Sequence, residues 1–212
     1  MGQQTDTRSS VAKLKTFVAV RVRLLQDGIV DRRFGGDTGA YVTTKLSHLG
    51  AHDCGTCHYY AMFKVFKNRI RPEDVLVDVG SGLGRAINTW LWMGCQNKIV
   101  GLELDADIAE ASRSRLRRYP NVEIITGDAI DNLPSDGTLF YLFNSFSEAV
   151  VRRFLAKLKV LSPAPREIRI LYYNPVFLSI FADDPDCQIQ ITAIPHSHFD
   201  LAIITRTDPR SS

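Results

Sequence analysis

Residues 78–85 read DVGSGLGR, with glycines at 80, 82 and 84 directly after the apolar run 75–79. A strand that runs into three closely spaced glycines must reverse its backbone tightly, and a helix is expected to start where the glycines end. The rest of the chain fits that unit. Further apolar runs at 98–104, 122–126, 138–143 and 168–173 alternate with helical stretches at 85–93, 106–118 and 147–161, the last with Ser147 as its N-cap. Such alternation predicts βαβ units and a parallel sheet. Two last runs, 188–194 and 201–206, are separated by only six residues, PHSHFD. That connection is too short for a crossover helix, so the two should pair antiparallel. The expected fold is α/β and Rossmann-like, a mostly parallel seven-stranded sheet with helices on both faces and a C-terminal antiparallel hairpin.

The chain before residue 73 has a different character. Residues 1–9 are polar and aperiodic, which predicts a disordered tail. From Ser10, a possible N-cap, the apolar residues Val11, Leu14, Phe17 or Val18, Val22 and Leu25 recur at helical spacing, with Gly28 just past the expected end. The glycine-rich 34–40 (FGGDTGA) predicts a loop, and 59–66 a second apolar helix that stops before Arg71-Pro72. Residues 10–72 are therefore expected to form an N-terminal helical cap on the substrate side of a core spanning 73–208. No apolar run is long enough for a membrane helix and the first ten residues lack a leader-like pattern, so a cytoplasmic protein is expected. Four cysteines in a 212-residue chain give no disulfide framework.

In doubly wound sheets, ligands bind beyond the carboxyl ends of the strands, and the exit of the first strand is the usual place. A dinucleotide fingerprint needs G-x-G-x-x-G, but here the third glycine comes one residue early and Arg85 stands where a small residue should pack. NAD therefore fits poorly. The loop amides favour an anionic group, and Asp78 suits a cationic amine. Glu103, at the end of the second strand, is placed to accept from two ribose hydroxyls. Gly127-Asp128-Ala129, after the third strand, offers a carboxylate and an amide to a base edge.

These residues carry a resemblance. D-x-G-S-G-x-G-R at 78–85, V-G-x-E at 100–103, G-D-A at 127–129, an F-N-P-F-like segment at 143–146 and Y-Y-N-P at 172–175 resemble a small bacterial-type family of class I S-adenosylmethionine-dependent methyltransferases. The likeness spans about half the chain, residues 74–175. It departs at Leu83, where the family often has lysine, and at Ser145, where it has proline. The resemblance implies S-adenosylmethionine as cofactor, held by Asp78, Gly80, Ser81, Gly82, Gly84, Glu103, Leu104, Asp128, Ala129 and Asn144. A more remote likeness joins residues 77–84 and 144–146 to Dot1-like protein lysine methyltransferases, without their lysine-rich extensions.

Residues 54–58 (CGTCH) match the signature of covalent haem attachment, which needs an exported chain and an axial ligand. Neither haem nor a metal is expected, and His58 is instead placed near the methyl donor. Methyl transfer from a sulfonium needs mainly alignment, with a base required only for a protonated acceptor. His58 and Asn144 are the catalytic candidates. His196 and His198 are further candidate bases, expected to lie away from the methyl. A silent cofactor-binding module is the alternative to an enzyme. Net charge is only +3, so a small molecule or a protein side chain is the expected acceptor, with neither nucleic acid nor membrane as partner.

Overall fold

The computed structural model describes residues 4–36, 38, 57–143, 146–161 and 167–207, with side chains from residue 17 onward in the first helix. The order is α1 (Gln4–Arg33), α2 (Tyr59–Phe66), β1 (Leu76–Val79), α3 (Arg85–Trp92), β2 (Ile99–Glu103), α4 (Ala106–Leu116), β3 (Val122–Thr126), β4 (Leu139–Phe143), α5 (Glu148–Leu161), β5 (Ile168–Tyr173), α6 (Ser179–Ala182), β6 (Cys187–Ala193) and β7 (Asp200–Arg206).

One seven-stranded sheet has the order β3-β2-β1-β4-β5-β7-β6. The first five strands are parallel, while β7 runs antiparallel between β5 and β6. The predicted fold class is the observed one. β1 and β4 are buried over four consecutive residues because both sheet faces are covered. One core layer packs Ile87, Trp90, Tyr59 and Phe66 from the helices against one face, and the other sets Phe154, Leu158 and Phe181 against the opposite face. The chain leaves β1 for β2 and returns on the other side of β1 as β4, which opens a switch point above the β1 carboxyl end.

Two expectations for the first helix are corrected. It begins at Gln4 and passes through Gly28 to Arg33, rather than running from Ser10 to a stop at Gly28. Its inward face is also different. Asp27, Val30, Asp31 and Phe34 are buried, whereas Phe17, Val18, Val22 and Leu25 are each more than half exposed. Apolar periodicity marks the face that leaves water only when hydrophobic burial positions the helix, and here buried carboxylates do so through hydrogen bonds to α2 and α3. Of the loop predicted at 34–40, residues 34–36 and 38 are described and form turns and a bend, while the segment around Cys54 lies outside the described residues. Helix α2 falls where it was predicted. Among the described residues, no helix is long and apolar enough to cross a membrane.

Gly28 sits in the interior of α1, is exposed, and has nothing within 4 Å of where a Cβ would stand. A helical glycine without a steric reason gives up backbone entropy that alanine does not. Gly28→Ala should therefore stabilise the fold by about 0.5–1 kcal/mol, read as a rise of roughly 1–4 °C in a thermal melt.

Candidate cofactor and acceptor site

The glycine motif folds as its spacing demands. Gly80, Gly82 and Gly84 have φ of 77°, 52° and 75°, all in the region that favours glycine, and Gly84 caps α3 in the left-handed conformation. Gly82 is held from both sides. Its amide donates to Glu103 Oε2 at 2.7 Å, and its carbonyl accepts from the buried Ser112 hydroxyl of α4 at 3.0 Å. Arg115, also on α4, donates to the Leu83 carbonyl at 2.5 Å, so the turn is pinned along its length. Glu103 Oε1 accepts from the Asp105 amide at 2.9 Å. Burial raises the Glu103 carboxyl, while these amides oppose the shift. Glu103 thus orders the loop with part of its accepting capacity and keeps the rest for a ligand.

A cleft opens at the end of β1, between the glycine turn and the residues before α2. Asp78, Ser81, Arg85, Cys57 and Tyr141 line it. Asp78 is buried, and desolvation, helped by the nearby Glu103 carboxylate, pushes its carboxyl up to about 8. Three buried polar atoms, Ser81 Oγ, Arg85 Nε and Tyr141 OH, have no hydrogen-bond partner among the described residues. Orphaned buried donors and acceptors are costly, and their convergence on one cleft suits a polar ligand with both a positive and a negative group. The enclosed volume is about 50 Å³. That space takes one end of a ligand, and the remainder would lie along the open carboxyl edge of β2 and β3.

The sequence-predicted residues separate into three groups. Asp78, Gly80 and Ser81 line the cleft, while Gly82 and Glu103 are joined beside it. Leu104 follows β2, and Asp128 and Ala129 follow β3, further along the same edge. Asp128 Oδ1 accepts from the Ile130 amide at 2.8 Å, and its Oδ2 pairs with Arg153 at 3.1 Å. Asn144 lies outside the described residues. His58 immediately precedes α2 and is half exposed, with Nδ1 2.5 Å from Asp27 Oδ2. The His196 ring lies 6.2 Å from that of Tyr60 on α2. Cys57, from the haem-like signature, is a buried thiol pushed up to about 11 by desolvation. Among the described residues, no group of His, Cys, Asp and Glu could hold a metal.

Two residues escaped the sequence reading. Arg85, taken there as a misfit in a dinucleotide motif, has its guanidinium 4.3 Å over the Tyr59 ring and 3.0 Å from Asp27. Asp27 gave no signal in the sequence, because its partners lie 31 and 58 positions away.

No family model matches the chain. It is 36% identical over 55 residues to the ribosomal RNA small subunit methyltransferase A of Thermotoga petrophila, covering 26% of this chain and 20% of the relative. To the enzyme of that name in Dehalococcoides mccartyi it is 28% identical over 129 residues, covering 55% of this chain and 41% of the relative. The chain thus spans less than half the length of these curated relatives. Among solved structures, a methyltransferase from Pyrococcus furiosus superposes with a TM-score of 0.60 at 13% identity, over 89% of this chain and 98% of the other. An RNA methyltransferase from Salinibacter ruber, in complex with S-adenosylhomocysteine, gives a TM-score of 0.52 at 21% identity, over 71% and 90%. The fold is that of class I methyltransferases.

The relatives correct one expectation. Nucleic acid was set aside on the small net charge, but the curated relatives act, by name, on ribosomal RNA. Net charge sums over the whole surface and hides local clusters, and Arg32 and Arg33 of α1 stand exposed close to Arg118, which donates to the Arg33 carbonyl.

The Asp78 proton gives a test of the cleft. The unfolded chain releases it near pH 4, whereas the folded protein holds it to about pH 8. Over that window unfolding releases a proton, so this carboxyl makes stability fall as pH rises. Thermal melts without cofactor should show Asp78→Asn gaining on the wild type between pH 5 and pH 8, by several degrees in melting temperature at the upper end. A constant difference across the range would contradict the buried, proton-holding carboxyl.

Proposed function

We propose that this chain is an S-adenosylmethionine-dependent methyltransferase that acts on RNA. The observation that carries the reading is the cleft at the β1 exit, where a proton-holding Asp78 faces the unpartnered Ser81 Oγ, Arg85 Nε and Tyr141 OH beneath a rigid glycine turn. The methionine end of the cofactor carries an ammonium and a carboxylate. Asp78 would accept from the ammonium, which draws the carboxyl into its ionised form, and Arg85 with Ser81 would donate to the carboxylate. Glu103 would take the ribose hydroxyls, and Leu104, Asp128 and Ala129 the adenine. When bound, the cofactor supplies an electrophilic methyl on a sulfonium that is itself a good leaving group. The chain's own part is to orient it and exclude water.

The RNA acceptor rests on the curated relatives and on the exposed arginines at the α1 and α4 ends. The region before β1, residues 10–72, supplies the acceptor side in this reading, since Cys57 and Met62 of α2 line the cleft, with His58 between them in the chain.

Calorimetric titration with S-adenosylhomocysteine tests the cofactor directly. Wild type should bind with heat that varies with the ionisation enthalpy of the buffer, because Asp78 gives up its proton. Asp78→Ala should lose roughly 10- to 100-fold in affinity, in line with about 1.4 kcal/mol for each factor of ten. No binding by wild type, or equal affinity in the variant, would overturn the assignment.

A further inference from the structure

The carboxylate of Asp27 does more than hold Arg85 of the cleft. Its Oδ2 lies 2.5 Å from His58 Nδ1 and 3.0 Å from Arg85 Nη2, while Oδ1 accepts from the Tyr59 amide at 2.9 Å. Asp27 is nearly buried, and the His58 side chain as a whole is half exposed. A carboxylate fixed on one ring nitrogen selects the tautomer with the proton on that nitrogen and leaves the other free to accept. His58 is tied to the cleft through its neighbours rather than lining it. The residue before it, Cys57, lines the wall, and so does Arg85, which shares its carboxylate oxygen.

We propose that His58 is the general base of the methyl transfer, that Asp27 is its positioning residue, and that the acceptor atom is a hydroxyl oxygen. The inference rests on the methyltransferase reading above. A hydroxyl keeps its proton at neutral pH and is a poor nucleophile until that proton leaves, whereas a neutral aromatic amine becomes acidic only once the methyl has arrived. In the step, the hydroxyl oxygen forms a bond to the methyl carbon as its proton passes to His58 Nε2. The carbon–sulfur bond breaks, and its electron pair stays on sulfur to leave a neutral thioether. The Asp27 carboxylate then faces an imidazolium, whose charge it offsets at hydrogen-bond distance. In RNA the hydroxyl that every nucleotide offers is the ribose 2′-OH.

Nitrogen-15 NMR of the His58 ring, with S-adenosylhomocysteine bound, should find the proton of the neutral ring on Nδ1, with Asp27→Asn shifting that balance. In parallel, wild type, His58→Gln and Asp27→Asn receive methyl-tritiated S-adenosylmethionine and total bacterial RNA. His58→Gln should transfer label about 100-fold or more slowly than wild type, and Asp27→Asn at least about tenfold more slowly. His58→Gln should bind S-adenosylhomocysteine within about twofold of wild type, while Asp27→Asn is read by the ring tautomer because Asp27 also holds Arg85. Label should survive alkaline hydrolysis in dinucleotides, because a methylated 2′-oxygen cannot attack the neighbouring phosphate. An Nε2–H tautomer, transfer by His58→Gln at the wild-type rate, or label confined to the bases would overturn the dyad while cofactor binding stands. Loss of S-adenosylhomocysteine binding in wild type would instead overturn the function.

Discussion

The joint between the N-terminal helix and the sheet domain is a hydrogen-bonded set of buried polar groups, and the site depends on it. Asp27 takes His58, Arg85 and the Tyr59 amide, and one turn further along, Asp31 accepts from the Tyr59 hydroxyl at 2.7 Å and from Thr38 at 2.6 Å. Asn88 of α3 donates to the same Tyr59 hydroxyl, and Arg115 donates to Asn88 Oδ1 and to the Phe34 carbonyl. Desolvation raises the Tyr59 hydroxyl and lowers the Arg115 guanidinium, as expected for polar groups out of water. Such a set is a weak source of net stability, since burial offsets much of the pairing energy. It is a strong source of geometric selection, because any other seating of α1 would leave carboxylates buried without partners.

The same groups tie the two halves of the site together. Arg85 stands at the first position of α3, directly after the glycine turn, and it reaches Asp27 on α1. Arg115 reaches the Leu83 carbonyl within the turn and the Phe34 carbonyl after α1. A shift of α1 would therefore move a guanidinium that lines the cleft and loosen the backbone that approaches the ligand. The proposed cofactor and acceptor sides are thus linked through Arg85 and Arg115.

What could be read in the sequence follows from the range of the forces involved. Strand runs, the glycine turn and the terminal hairpin are local patterns, set by backbone sterics and two-residue alternation, so 78–85, Glu103 and the β6–β7 pairing emerge from neighbours alone. Asp27 is legible only in three dimensions. Its partners are remote in sequence, and an aspartate within a helix otherwise reads as solvated surface. Arg85 was visible but misassigned. Judged against a dinucleotide fingerprint it is an intruder, and only its buried stacking on Tyr59, with Nε unpaired, marks it as part of a ligand cleft.

The first helix shows where pattern and physics part. Its apolar residues Phe17, Val18, Val22 and Leu25 have helical spacing, yet they are exposed, and the buried stripe is Asp27, Val30, Asp31 and the following Phe34. A stripe of two carboxylates and two apolar side chains is a poor hydrophobic face and a good socket for donors. α2 and α3 supply those donors as Tyr59, His58 and Arg85. The helix is thus selected by what it must accept rather than by what it must hide. A carboxylate placed by that requirement, between an exposed imidazole and a buried guanidinium, gives one residue of α1 a hold on both the proposed acceptor side and the proposed cofactor side of the cleft.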